Sequence, residues 1–254
     1  MPRGWDSYFV EIEDRKASVF VDLDPPPPAV VEALPFVLSV RILLRSPGSH
    51  GLTTDAEFET LSALEDDLEA ITAEQLRGRY VGRYTHDGKR TFVVYVPSED
   101  TAHAALTGHF ETRGYKTEAW IEADANWQKY HGWLYPIPEE MQTIEDRRAL
   151  EALAERGDDH SIPRDVDHWI YFESAADRAS FLNDVLGEGF TVRSQWDDDE
   201  VAGRPFGVQV FRHQIVDFDT LAWTVRDLFR RAERHSGDYD GWETSIENSA
   251  DGAA

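Results

Sequence analysis

Carboxylates set beside aromatic residues are the chemistry this sequence offers most plainly. Asp238, Tyr239, Asp240, Gly241 and Trp242 run consecutively near the carboxyl terminus. Paired carboxylates do acid–base work when burial raises one pKa away from the other. Here both lie beside glycines, where Asp-Gly reverses a chain, so the reading is a turn that aims Trp242 inward. A second run, Asp197, Asp198, Asp199 and Glu200, lacks the alternating ligands and central glycine of a calcium loop and reads as a solvated hairpin tip. If a partner is basic, that tip becomes a contact. The candidate partner-binding residues are therefore Asp197, Asp198, Asp199, Glu200, Asp238, Tyr239, Asp240 and Trp242. Asp165, Asp167 and His168 also lie close together, but neighbours in a strand face opposite ways. They are read as a solvated strand entrance with one half-buried histidine, not as a metal site.

Other catalytic arrangements are missing from the sequence. There is no G-x-S-x-G elbow. "RGRYVGRY" has arginines where a phosphate loop needs a tight glycine turn. None of the nine histidines forms H-x-x-x-H, and cysteine is absent. No catalytic residue, cofactor or metal is expected, and a non-enzymatic role follows. A second reading makes the protein an enzyme or small-ligand binder using its amino-terminal domain or the interdomain cleft. Arg79, Arg83, Trp120 and Trp127 are the residues to inspect for it, and a concave pocket with convergent polar groups would distinguish it. A third makes the chain a structural subunit pairing through edge strands; the sequence leaves the oligomeric state open.

The charge narrows the partner. With 49 acidic and 25 basic residues, the formal net charge is −24, which opposes direct nucleic-acid binding and favours a cationic protein partner. Only Lys16, Lys89, Lys116 and Lys129 are lysines, so an arginine-dominated, GC-rich or salt-adapted source is a second explanation of the acidity. No apolar run reaches membrane length, and the expectation is a cytoplasmic protein.

The elements that must position these residues give an α+β protein of two domains. "WDSYFVEIE" and "KASVFVDLD" form a hairpin. Pro25 to Pro28 read as a stiff polyproline II connector. "PFVLSVRILLRS" is a buried strand, followed by an amphipathic helix carrying Leu61, Leu64, Leu68 and Ile71, with Thr53 or Thr54 as N-cap and Glu57 near the capping-box position. A second hairpin crosses Asp87-Gly88, a short helix is capped by Ser98, and "YKTEAWIEA" is a further strand. A charged helix ending at Gly157 connects to the final block. That block reads β-α-β-β-α-β, a ferredoxin-like antiparallel sheet with two helices on one face. "TFVVYVPSEDTAHAALTGHFETRGYKTEAW" echoes "DHWIYFESAADRASFLNDVLGEGFTVRSQW", which places a related β-α-β unit in the amino-terminal antiparallel domain. The expected division is 1–136 for the first domain, 137–160 for the connecting helix and linker, 161–248 for the ferredoxin-like domain and 249–254 for a disordered tail.

The final block, through "HWIYFESAADRASFL", "FGVQVFR" and above all "YDGWETSIE", resembles the bacterial family of regulators of ribonuclease E activity, B type. Tyr239, Asp240, Gly241 and Trp242 match that family's Tyr-Asp-Gly-Trp segment. "WDSYFVEIEDRKASVFVDL" and "YVGRYTHDGKRTFVVYV" resemble a bacterial domain family of unknown function, known fused in this order. The resemblance implies a non-catalytic regulator that binds an endoribonuclease or its scaffold and alters which transcripts are cut. Acidic loops suit the basic segments of such a scaffold. The family's characterised members carry a long acidic tail where "NSADGAA" stands here; if that tail contributes to binding, another acidic surface or another partner has to serve.

Overall fold

The computed structural model describes residues 4–101, 103–198 and 203–248. Asp199 and Glu200 of the acidic run, and the tail from 249 onward, lie outside the described residues. The chain divides into two compact units, Met1–Glu140 and Met141–Ala254.

The first unit is built on a six-stranded antiparallel sheet. β1 (Trp5–Ile12) and β2 (Arg15–Asp22) pair from Trp5 with Asp22 to Ile12 with Arg15. Glu13 and Asp14, both at positive φ, make the tight turn, which matches the twist of a two-residue hairpin. A short helix α1 (Pro28–Ala33) follows. The proline run is therefore extended only up to Pro27; Pro28 opens the helix, where its missing N–H and preset φ cost nothing.

β3 (Phe36–Leu43), α2 (Asp55–Glu74), β4 (Arg79–His86), β5 (Lys89–Val96), α3 (Ala104–Thr112) and β6 (Thr117–Ala123) complete the unit. The sheet order β1-β2-β4-β5-β3-β6 contains β4-β5-β3-β6, the ferredoxin-like order, with the first hairpin added beyond β4. The sequence echo between the halves is thus a split β-α-β in both: β5 and β6 flank β3, as two strands of the second unit flank a third.

Leu61, Leu64 and Leu68 of α2 and Leu106 and Phe110 of α3 pack on Leu38, Val40, Ile42, Phe92, Val94 and Val96. Stacking of Phe92 on Phe110 at 5.1 Å ties α3 to the sheet. The opposite sheet face is covered by the segment around a five-residue π-helix, Tyr130–Leu134. There Trp127 stacks on Tyr95 at 3.8 Å, and its indole N–H donates to the Leu34 carbonyl.

Two capping expectations are corrected. Glu57 is buried, and its carboxylate accepts the backbone amides of Arg45 and Ser46 at 3.0 and 3.1 Å, while Thr54 Oγ1 donates to the Ser46 carbonyl. The pair therefore ties the β3–α2 loop to the helix start and does not form a capping box. Ser98 caps a turn by accepting from the Asp100 amide; α3 begins later, with His103 at its N-cap position.

The second unit contains α4 (Pro138–Glu155) from Met141 onward, β7 (Arg164–Phe172), α5 (Ala175–Val185), β8 (Thr191–Asp197), β9 (Phe206–Gln214), α6 (Phe218–Arg234) and β10 (Gly237–Thr244). Its sheet order, β10-β7-β9-β8, is again ferredoxin-like, and every pair is antiparallel. Ser174 caps α5 by accepting the Asp177 amide at 3.1 Å, and Asp217 caps α6 through Thr220. Val166, Ile170, Phe172, Val208 and Val210 face Phe181, Leu221, Val225 and Leu228. Leu150 of α4 joins this core, so the connecting helix is also part of the domain's packing.

Candidate functional site

The Tyr-Asp-Gly-Trp segment lies within β10 and does not reverse the chain. The register with β7 slips between Tyr239 and Gly241, which leaves Asp240 as the extra residue of a β-bulge. Gly241, at φ 132°, adopts backbone that favours glycine. Strand alternation would place Tyr239 and Trp242 on opposite faces; the bulge shifts the phase by one and turns both toward the helices. The turn expected at Asp240-Gly241 is thereby corrected, while Trp242 does point inward.

Tyr239 is only 6% exposed, and its hydroxyl bonds His168 Nδ1 at 2.8 Å. Burial, aided by the charge of Arg212, pushes the His168 imidazole down to about 3 and keeps it neutral. Burial also raises the Tyr239 phenol well above its ordinary range, with Asp146 adding to the effect. Trp242 Nε1 donates to Asp146 Oδ1 on α4 at 2.8 Å, beside a second bond from Gln142 at 2.9 Å. Burial pushes Asp146 up to about 6 against those two bonds. Tyr239 and Trp242 therefore act as internal anchors. Asp238 and Asp240 remain exposed on the same strand, and Asp238 pairs with Arg204 at 3.2 Å.

The helix-free face of the second sheet holds a different set of residues. Trp169 and Tyr171 of β7, Trp196 of β8 and Phe211 of β9 are half-buried there, out of phase with the core positions. Gly207 makes room for Trp196: a Cβ at that position would lie 2.2 Å from the indole. Tyr171 meets the same indole edge-on at 5.8 Å.

Arg193 lies over the Phe211 ring at 4.0 Å and bonds both Asp167 and Asp165, the latter at 2.9 Å. His213 bonds Asp165 at 3.1 Å and, with Arg193, holds that carboxyl below its usual range. Asp165 and Asp167 are thus engaged by Arg193, while His168 is buried on the other face rather than half-buried at the strand entrance. Among the described residues no group of three or more His, Asp or Glu side chains could hold a metal ion. Around this face stand Asp238, Asp240 and Glu243 on one edge strand, whereas Asp197, at the end of the other, turns to the helix side and pairs with Arg178 of α5 at 2.8 Å. Asp198 follows it.

The sequence reading overlooked Trp169, Tyr171, Trp196 and Phe211. Their signal was alternation: the apolar residues between core positions of β7 and β9 are aromatic rather than polar.

The four residues considered for a small-ligand site do not converge. Arg79 pairs with Asp22 at 2.6 Å. Trp120 lies under the Arg41 guanidinium at 4.8 Å on β6. Trp127 is fully buried on the sheet's second face. Arg83 lines a cleft of about 650 Å³, and Arg79 lines a smaller one of about 290 Å³ that shares Trp5 and Tyr80 with it.

No helix among the described residues is long and apolar enough to cross a membrane. No curated protein matches the chain. Among solved structures, one described as an unknown protein from Galdieria sulphuraria is similar, at 11% identity over 83% of this chain and 98% of that one, with a TM-score of 0.23; nothing follows from that likeness. Residues 143–244 match the family described as Regulator of ribonuclease activity B. Residues 3–135, more than half of the chain, match the Family of unknown function (DUF695). The chain belongs to that family of unknown function and carries, after it, a Regulator of ribonuclease activity B domain.

Proposed function

We propose that the protein is a non-catalytic regulator of ribonuclease activity, and that its carboxyl-terminal domain binds an arginine- or lysine-rich segment of an endoribonuclease or its scaffold on the helix-free sheet face. The observation that carries the reading is the family match over 143–244. Supporting it, half-buried Trp169, Tyr171 and Trp196 offer ring faces to guanidinium groups, and Asp198, Asp238, Asp240 and Glu243 offer carboxylates around them. The same carboxylates repel phosphates, so the surface selects the protein component of an RNA-processing assembly over its RNA. Asp199 and Glu200 belong to the same proposal through their place in the sequence.

The test uses the full chain with a ribonuclease E-type endoribonuclease, reading affinity and cleavage rate of a model RNA. Trp169→Ala with Trp196→Ala should weaken binding by about tenfold or more and relieve inhibition. Asp238→Asn with Glu243→Gln should lower affinity and flatten its salt dependence. Trp223→Ala, which removes an exposed indole from α6, should change nothing. Unaltered binding in both sheet-face variants would move the contact elsewhere, and absence of any effect on cleavage would remove the regulatory reading.

A further inference from the structure

The first hairpin extends the amino-terminal sheet past its two helices. On the helix side, that extension leaves a cleft of about 650 Å³ between α2 and strands β1 and β2, within the size range of small-ligand sites. Its apolar wall is ordered: Trp5 stacks between Phe20 and Tyr80, with both centroid distances 5.1 Å. Phe9 and Phe58 stand at the cleft, 57% and 56% exposed.

The floor is cationic in a protein of net charge −24. β4 carries a bulge between Tyr80 and Gly82, the same device as in β10, and it brings Tyr80 and Arg83 onto one face. Gly82, at φ 150°, passes so close to β2 that a Cβ would sit 2.5 Å from the Phe20 carbonyl oxygen.

One carboxylate, Glu65, serves this floor. It accepts the Tyr80 hydroxyl at 2.5 Å on one oxygen and Arg83 Nε at 2.6 Å on the other. Arg90, 3% exposed, is fixed by Thr85 at 3.1 Å and Thr53 at 2.7 Å. Its Nη1 approaches Glu65 only to 3.8 Å. The Arg83 Nη atoms make no hydrogen bond to the described residues; that guanidinium lies over the Phe20 ring at 4.8 Å. Burial and the neighbouring Arg83 charge push Arg90 down to about 10, as expected where cationic charge exceeds its compensation.

We propose that this cleft binds a small monoanionic carboxylic acid with an aryl or similar flat apolar body, its carboxylate on the free Nη edge of Arg83 and reaching Nη1 of Arg90, and its body against Trp5, Phe9, Phe20 and Phe58. At the floor, Arg83 and Arg90 against Glu65 leave one local positive charge, which a monocarboxylate neutralises. The exposed Asp66 and Glu69 bring the whole lining to two cationic and three acidic groups. The planar guanidinium edge suits a carboxylate's two oxygens. Asp66 and Glu69, which also line the cleft, disfavour a phosphate dianion. The inference is independent of the carboxyl-terminal sheet face.

Calorimetry on the full chain with 4-phenylbutyrate, its neutral amide and phenyl phosphate tests it. The acid should bind at about 1 mM or tighter, and the amide and phosphate ester about tenfold more weakly, the scale of one lost charge-assisted contact. Arg83→Gln should cost the acid a similar factor. Ser62→Trp, which fills the cleft from α2 and leaves both arginines in place, should abolish binding. An amide or phosphate ester that binds as tightly as the acid overturns the proposal. So does the absence of heat from 4-phenylbutyrate, hexanoate and indole-3-acetate alike, or an affinity unchanged in Ser62→Trp.

Discussion

The Trp242 indole donates to Asp146 Oδ1 at 2.8 Å, and Gln142 donates to that same oxygen. The Tyr-Asp-Gly-Trp strand is thereby joined to α4 by a single acceptor. Trp242→Phe keeps an aromatic but smaller ring and removes the donor, leaving a buried carboxylate short of a bond. It should cost about 1–3 kcal/mol, read by urea unfolding. Asp146→Asn can keep both bonds through its carbonyl while removing the charge. At neutral pH it should stabilise by about 2 kcal/mol.

The pH dependence follows from Asp146 and His168 together. Folded Asp146 holds its proton up to about 6, whereas the unfolded carboxyl releases it near 3.8, so this group's stabilisation is full at the acid end and lost as pH rises through about 6. Folded His168 stays neutral down to about 3, whereas the unfolded ring gains its proton near 6.5. Acidification below that value therefore weakens the fold. Between roughly pH 4 and 6 the two slopes oppose each other. Asp146→Asn leaves only the histidine slope, so its stability relative to the parent should rise by about 1.4 kcal/mol for each unit that pH increases across that window. Urea midpoints at three pH values within and above the window check this, and parallel curves for the two proteins would refute it.

Gly207→Ala places a methyl group where the Trp196 ring lies, 2.2 Å from its nearest atom. The indole must leave the sheet face, at a cost of about 1–3 kcal/mol. The near-ultraviolet circular dichroism should change while the far-ultraviolet spectrum is kept. Affinity for a basic partner should fall as it does in Trp196→Ala.

Glu57→Gln replaces one of two acceptors with a donor that faces a backbone amide. Both Arg45 and Ser46 rely on that carboxylate. A loss of about 2–3 kcal/mol is expected, with faster hydrogen exchange at those two amides. Unchanged exchange there would show that the loop is held by other contacts.

Local chemistry was sufficient for much of the fold. Asp87-Gly88 made its hairpin because both residues accept positive φ. The spacing of Leu61, Leu64 and Leu68 put one face of α2 into the core, and Ser174 capped α5 as its position before a helical pattern predicts. The order β-α-β-β-α-β then implied the carboxyl-terminal topology.

Facing was a tertiary matter wherever the period of two was broken. A bulge at Asp240 turned Tyr239 and Trp242 together into the core, and another beside Gly82 turned Tyr80 and Arg83 together into the cleft. Neither slip is visible in a pattern that assumes strict alternation, because the extra residue is defined only by the partner strand's register. Glu57 and Ser98 likewise carried ordinary capping signals, but the amides nearest in space decided which bonds they made. The sequence by itself determined the strands, the longer helices and the acidic surface. Only the paired sheets decided which side chains share a face, since that depends on contacts between residues far apart in the chain.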